Sequence, residues 1–243
     1  MKTKAPISIL FLVILTLTFV ACENSAWNCL RGNGIIEKET RDLSQYNGVV
    51  TEGEFDVFYV PDSVYSVEIE ADQNLIPYIR TRISGTTLIV DNGTRKCLRS
   101  EYPIRIYVRA PEIKLMSLVG SGMLSAETVY TDELTLSIEG SGLIDISGID
   151  VLDLNVLITG SGDVSLWGDT DVADYTITGS GNIDARNVLS TSCIAEISGS
   201  GSIYCNVESK LDAIISGSGT IYYWGTPSVS THISGSGSVV SNP

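Results

Sequence analysis

The sequence predicts an all-β protein: a parallel β-solenoid (β-helix) with about 18–20 residues per coil, preceded by a less regular β half that covers its first coil. Three observations predict it. The triplet Gly-Ser-Gly recurs seven times in the second half of the 243 residues, aliphatic residues flank every copy, and the chain between copies alternates apolar and polar. Alternation with a period of two is typical of strands, and no stretch shows the period of 3.6 that marks a helix.

The Gly-Ser-Gly triplets are spaced by 18 to 20 residues, and such fixed self-similarity is typical of stacked coils. They begin at Gly120, Gly140, Gly160, Gly179, Gly199, Gly217 and Gly235. Small residues suit a corner where the chain turns sharply and neighbouring coils approach closely. An opposite corner of variable length is expected near Gly148, Gly168 and Gly225. This pattern favours a flattened coil with two sheets.

The aliphatic flanks predict the core of the solenoid. Two residues before the triplets stand Leu118, Ile138, Ile158, Ile177, Ile197, Ile215 and Ile233. Two residues after them stand Leu124, Ile144, Val164, Ile183, Ile203, Ile221 and Val239. Coils stacked at the inter-strand spacing of about 4.8 Å would align these side chains into continuous ladders. We therefore divide the chain into a linker at 23–36, an irregular β region at 37–119 and the repeat solenoid at 120–243.

The first half carries alternating runs at 55–60, 65–70, 87–90 and 104–108, separated by turn-forming residues. One short helical turn is expected near 74–79. Because an uncovered end of a coil stack is an open sheet edge, we expect this half to continue into the solenoid and cover its first coil.

The pattern of residues 1–22 predicts a lipoprotein signal peptide. Two lysines precede an apolar run at 7–20 that is too short for a stable membrane span. The segment Thr18–Cys22 resembles a bacterial lipobox, in which the cysteine is lipidated and becomes the mature N-terminus. The alternative is cleavage by ordinary signal peptidase, with Cys22 free or disulfide-bonded. Lipidation predicts an exported protein held at the outer membrane or cell surface through its N-terminal acyl chains.

Four further cysteines, Cys29, Cys97, Cys193 and Cys205, would lie in a compartment that permits disulfides, and they allow three connectivities. Their grouping favours Cys29 with Cys97 and Cys193 with Cys205. The alternative for each pair is a set of buried, unpaired thiols that act as small apolar side chains.

Charge and composition exclude several function classes. The net charge of −14 argues against nucleic acid as a partner, and a single histidine argues against zinc hydrolysis and against catalysis by a Ser-His or Cys-His pair. No cofactor is predicted. Residues 1–119 have a net charge of −1, whereas 120–243 carry 2 basic and 15 acidic side chains. The solenoid is thus predicted to be an acidic rod, either simply well solvated or suited to a cationic partner.

These features together resemble the head-GIN-domain family of "putative auto-transporter adhesins", which are secreted or surface lipoproteins of Gram-negative bacteria. The resemblance rests on the lipobox-type leader, the irregular β half and the triplet with its spacing and aliphatic flanks, and it covers roughly 37–243. It implies a β-helical fold related in shape to pectin-lyase-type solenoids without their catalytic residues. It also implies a role in cell adhesion or host interaction, and it supplies no functional residues.

One outward-facing strip of the solenoid is a candidate ligand surface. Tyr204 and Tyr222 occupy equivalent positions one coil apart and carry aromatic and acidic neighbours. The strip comprises Tyr204, Tyr222, Tyr223, Trp224, Trp167 and Asp184. Exposed aromatic rings beside aspartates commonly hold sugar rings, so we hypothesise that this strip binds glycan. The alternative is that the aromatic residues only shield the C-terminal coils.

Four oxygen-bearing residues on adjacent coils, Asp145, Asp163, Asn182 and Asp184, resemble ligands for calcium. Calcium-binding repeats place an aspartate in every copy, which these repeats do not. Ordinary exposed carboxylates are the favoured interpretation, and no metal site is predicted.

The predicted function is therefore an exported, lipid-anchored, adhesin-like binding module for cell, host or glycan contact that is not an enzyme. A non-catalytic structural protein of the cell envelope is the alternative. A glycan-active β-helix enzyme is the more distant one, because its acid–base pair would need loops that interrupt the repeat. The last coil lacks its return strand, so its edge is expected to pack on a second copy or on the chain's own tail.

Overall fold

The computed structural model describes residues 29–242 and confirms the all-β parallel solenoid. The strands of the first half are β1 (Leu30–Arg31), β2 (Ile36–Asp42), β3 (Gly48–Gly53), β4 (Asp56–Pro61), β5 (Ser66–Asp72), β6 (Ile79–Ser84), β7 (Thr87–Asn92), β8 (Leu98–Arg99), β9 (Arg105–Ala110) and β10 (Leu115–Gly120). Those of the second half are β11 (Met123–Ala126), β12 (Val129–Gly140), β13 (Leu143–Gly160), β14 (Asp163–Gly179), β15 (Asn182–Gly199), β16 (Ser202–Gly217), β17 (Thr220–Trp224), β18 (Ser228–Gly235) and β19 (Ser238–Ser241). A single 3₁₀ turn spans Ile76–Tyr78, inside the segment expected to hold a short helical turn.

The Gly-Ser-Gly corners align along one edge of the solenoid. Gly140 pairs in parallel register with Gly160, and Gly160 with Gly179. The first glycine of each triplet has a φ between 118° and 139°, a region that disfavours other residues. The amide that follows bonds to the coil before it, as when Ser161 N donates to Gly140 O at 2.8 Å. The corner therefore continues the backbone hydrogen bonding from coil to coil.

The inward ladders are buried as the repeat predicts in every coil except the last, where Ile233 is 45% exposed and Val239 is only partly buried. Ile158, Ile177 and Ile197 lie directly over one another, and each is at most 1% exposed. Full burial of an aliphatic side chain contributes about 1.5–3 kcal/mol, so the ladders supply much of the stability of the solenoid.

The longer coils have three sides. In β13, every second residue is buried, but this alternation is interrupted by two consecutive residues that are not buried, at 147–148 and again at 152–153. The buried residues shift by one position at each interruption, so the chain bends there. In the shorter coil of β16, residues 203, 205 and 207 are buried in uninterrupted alternation. The expected flattened two-sheet coil is therefore wrong for the longer coils. The extra bend, which the shorter coil omits, accounts for the drift in spacing from 20 to 18 residues.

The solenoid begins one coil before the first triplet. Gly53 pairs with Gly120 and has a φ of 135°, so β3, Gly53 and β4 form a coil stacked on β10 and β11. Strand β7 pairs in parallel with β3, and β9 pairs in parallel with β4. Beyond them the pairing is antiparallel, because β6 pairs with β7, β5 with β9 and β2 with β5. Antiparallel pairing ends the coiled arrangement and covers the first coil.

The predicted disulfide between Cys29 and Cys97 is present, with Cα atoms 4.5 Å apart. It joins the residues that immediately precede β1 and β8, and these two strands pair in parallel. Residues 29–36, expected to belong to a linker, thus contain β1 and the start of β2. Cys22 and the signal peptide lie outside the described residues, and no helix between 29 and 242 is long and apolar enough to cross a membrane.

The predicted disulfide between Cys193 and Cys205 is wrong. Both are buried free thiols, 2% and 0% exposed. Cys193 pairs in register with Leu211, whereas Cys205 pairs with Ala185 on another side of the coil. Both therefore lie among the inward apolar side chains, which was the alternative interpretation.

Candidate functional site

Two tyrosines stack on the outside of the solenoid, one coil apart. Tyr204 and Tyr222 are directly paired in register, and their ring centroids lie 4.9 Å apart with the planes inclined by 6°. Stacked aromatic pairs of this kind contribute about 0.5–1.5 kcal/mol beyond their buried area. Asp184 precedes them in the same outward column.

An arginine joins these residues into one cluster. The guanidinium carbon of Arg186 lies 4.7 Å from the ring centroid of Tyr204 and 5.7 Å from that of Trp224. Its Nε donates to Asp184 Oδ1 at 2.7 Å. This hydrogen bond raises the pKa of Arg186, so the side chain is always charged. We call Asp184, Arg186, Tyr204, Tyr222 and Trp224 the aromatic–arginine cluster.

Sequence reasoning missed Arg186. The available signal was that it is one of two basic residues between 120 and 243, and that it follows Asp184 by two positions. An outward arginine beside an aspartate and a tyrosine column is well placed for cation–π contact.

The stack changes what the cluster offers to a ligand. One face of Tyr204 is covered by Arg186 and the other by Tyr222. A sugar ring therefore cannot lie flat on Tyr204 unless Arg186 moves. The edge of the stack, the guanidinium and the Asp184 carboxylate are the groups that remain for contact.

The structure does not bring two of the predicted residues into this cluster. Trp167 pairs in register with Asn187 and is 42% exposed, at one side of the cluster. Tyr223 pairs with the buried Cys205 and packs against the hydrophobic core. Its predicted place on the outer strip is wrong, because successive side chains of a strand alternate between its faces.

A second aromatic stack lies in the same outward column near the other end of the sheet. Phe58 pairs with Ser125 on one side and with Tyr107 on the other, and the two rings lie 5.3 Å apart at 22°. Lys38 Nζ lies 5.5 Å from the Tyr107 ring centroid and donates to Glu68 at 2.8 Å. Sequence reasoning missed this stack because no repeat in the first half reveals which residues share a column.

The four residues considered as calcium ligands do not form a common site, because they are hydrogen-bonded to other side chains or lie on separate coils. Asn182 Nδ2 donates to Asp163 Oδ1 at 2.8 Å, and Asp184 is bonded to Arg186. Asp145 lies in the Asp184 column but two coils away, beside Ser165. Within residues 29–242, no group of three or more histidine, cysteine, aspartate or glutamate side chains is arranged to hold a metal ion.

Comparison with known proteins places this geometry in a family. The family model described as "Putative auto-transporter adhesin, head GIN domain" matches residues 45–227. No curated protein gives a significant match.

Solved structures share the fold over nearly the whole described chain. A "putative adhesin" from Bacteroides fragilis is 26% identical with a TM-score of 0.82, and the match covers 88% of this chain and 100% of that one. A "putative lipid binding protein" from Parabacteroides distasonis is also 26% identical, with a TM-score of 0.73 and coverage of 88% and 100%. A "putative adhesin" from Parabacteroides merdae shows the same fold at 24% identity and a TM-score of 0.73, with coverage of 89% and 100%.

Proposed function

Because this chain belongs to the head GIN domain family of "putative auto-transporter adhesins", we propose that it is an exported adhesin-like binding module that catalyses no reaction. The names of the family and of its solved relatives refer to adhesion or to lipid binding rather than to a reaction, which supports this. In this proposal the protein is held at the outer membrane or cell surface through a lipidated Cys22, and the solenoid presents the contact surface.

The aromatic–arginine cluster is the observation on which the contact site rests. Aromatic residues and arginine are enriched where proteins bind partners, and they dominate the energy of such interfaces. Elsewhere the outward positions of the solenoid are mainly small, polar or acidic residues. The cluster is distinct from this surface because it brings three large aromatic side chains together and holds a cation against two of them.

Glycan is the ligand class that the cluster supports best. The guanidinium of Arg186 offers several N–H donors in a plane, and Asp184 accepts hydrogen bonds. Sugar hydroxyl groups complement both, while the edge of the Tyr204–Tyr222 stack supplies apolar contact.

Glycan-array binding tests this site. Replacing Tyr204 and Tyr222 by serine is expected to abolish binding, while Tyr130→Ser is expected to leave it unchanged. Tyr130 is a matched control because it is a 65% exposed tyrosine on the outside of β12. Unchanged binding by the Tyr204→Ser, Tyr222→Ser double variant would reject this cluster as the contact site.

A structural role in the cell envelope is the second candidate. The covered faces of Tyr204 favour it, since a stack that is closed on both sides also stabilises the coils beneath it. If that is its whole role, the double variant loses thermal stability, and the wild-type protein binds no glycan, matrix protein or cell.

A further inference from the structure

Four exposed basic side chains lie around the Cys29–Cys97 disulfide. They are Arg31, Arg95, Lys96 and Arg99, which we call the basic collar. Between residues 29 and 242 none of them forms an ion pair, whereas most other basic residues do. Arg109 in β9 is the other exception. The charge of the collar is therefore available to a partner outside the described chain.

Two of these charges are held side by side. Arg31 and Arg99 are paired in register on the parallel strands β1 and β8, in a position where like charges destabilise a sheet. Glu54 and Glu101 line the same groove as Arg99, but neither forms an ion pair with it. An anion from outside the described chain would relieve this repulsion.

The position of the collar brings it close to the proposed lipid anchor. Cys22 precedes Cys29 by seven residues, which span at most about 25 Å even when fully extended. The disulfide holds Cys29 against Cys97, next to Lys96. If Cys22 is acylated, as the proposed function states, Cys29 lies within that distance of the bilayer surface, and the collar lies next to Cys29.

Two further features suit a membrane surface. Tyr102 is 56% exposed and lines the groove that contains Arg99, and tyrosine is enriched at the boundary between lipid and water. The solenoid at 120–243 has a net charge of −13. An anionic membrane would attract the collar and repel the solenoid, so both forces direct the solenoid away from the membrane.

We propose that the basic collar is a docking surface for the anionic, phosphate-bearing lipids of the membrane that holds the N-terminal anchor. The contact orients the molecule, with the antiparallel cap at the membrane and the solenoid projecting from it. This inference rests on the lipid anchor of the proposed function, and it is independent of the glycan site.

Vesicle co-sedimentation tests the proposal with the mature chain carrying Cys22→Ser, which removes the acyl contribution. This chain is expected to bind phosphatidylcholine vesicles only when they contain phosphatidylglycerol, and to be released by high salt. Each basic residue near an anionic surface contributes about fivefold in affinity, so Arg95→Gln with Lys96→Gln is expected to weaken binding on the order of 25-fold.

The control is Lys114→Gln with Lys210→Gln, which removes the same charge from exposed side chains outside both the collar and the antiparallel cap. Its binding is expected to stay within about twofold of the parent, because screening limits charges at a distance. Arg31→Gln with Arg99→Gln removes the like-charge pair, so it is expected to lose vesicle binding without losing thermal stability. That result would separate the lipid contact from a folding defect.

Equal binding to vesicles with and without phosphatidylglycerol would overturn the proposal, as would full binding by the Arg95→Gln, Lys96→Gln variant. Failure of the proposed function gives different signals. An absent anchor appears in the mass of the N-terminal peptide of the wild-type protein, and an absent glycan site appears on the array.

Discussion

Gly160 lies directly over Gly140, and the Gly140 carbonyl oxygen occupies the space that a Cβ at Gly160 would need. Gly160 also has a φ of 126°. The same two constraints recur at each aligned corner from Gly120 to Gly235. The first glycine of each triplet is thus a condition for stacking, which explains why it recurs so regularly without any ligand.

Gly160→Ala is expected to lower the free energy of unfolding by at least about 3 kcal/mol, because it combines backbone strain with a clash against main-chain atoms. Urea denaturation measures the change. Gly85→Ala is the matched control, since Gly85 has a φ of 63° with open space around its Cα, and it is expected to cost about 1 kcal/mol. Equal losses at the two sites would contradict the close contact between coils.

Removing the Cys29–Cys97 disulfide by serine substitution at both positions is expected to cost about 4 kcal/mol. The two residues are 68 positions apart, and the cross-link restricts the unfolded chain over that loop. Denaturant unfolding measures the loss, and reduction of the wild-type protein should reproduce it. A loss below about 1 kcal/mol would show that the cross-link does not constrain the unfolded chain.

Cys193 and Cys205 are expected to resist alkylation in the folded protein. The hydrogen bond with Cys205 and the burial of the side chain both raise the pKa of the Cys193 thiol, so little reactive thiolate forms at neutral pH. Mass spectrometry after iodoacetamide treatment should show both thiols modified only in denaturant. Modification of either thiol in native buffer would contradict their burial.

Stability is expected to fall above about pH 10, the ordinary tyrosine pKa. Burial, with a smaller effect of Glu112, raises the pKa of Tyr59 to about 12, and burial also raises that of Tyr46. The unfolded chain then loses these protons at lower pH than the folded one, so the stabilisation is complete below pH 10 and is lost as the pH approaches 12. Unfolding measured from pH 8 to 12 checks this, and constant stability over that range would contradict it.

The last coil is expected to mediate self-association. Val229 and Ile233 occupy inward positions over Leu211 and Ile215, yet they are 36% and 45% exposed, because residues 29–242 provide no further coil to cover them. No acidic or basic residue other than His232 lies in 228–242 to discourage pairing of the edge.

Light scattering over a range of concentrations measures this association. Ile233→Glu is expected to abolish it, because a carboxylate would be buried between copies. Ile214→Glu, at an outward position of β16 that is 36% exposed, should leave it intact. A wild-type protein that stays monomeric at every concentration would contradict the prediction.

The parts of the fold that could be predicted from the sequence are those that repeat from coil to coil. Ladder positions such as Ile158 are constrained by identical neighbours above and below, so the corners and the core could be located from spacing alone. The coil through Gly53 could not, because Glu54 and Phe55 replace the rest of the triplet. The third side of the longer coils also escaped notice, since it contains few residues and its bend lacks a common motif.

The candidate site was only partly predictable for a related reason. Equal spacing placed Tyr204 next to Tyr222, but it carried no information about the conformation of the Arg186 side chain, which covers the Tyr204 ring. The spacing of Cys193 and Cys205 could not distinguish a disulfide from two buried free thiols that interact in the core, which is what the structure has.

The aligned corners make each winding an interchangeable unit of length. If one whole coil is duplicated or lost between equivalent glycines, the coils on either side can still stack on each other. The cap and the last coil then need not change. The reach of such a molecule would then change in steps of about 4.8 Å per winding. The number of coils therefore sets how far the last coil stands from the antiparallel cap.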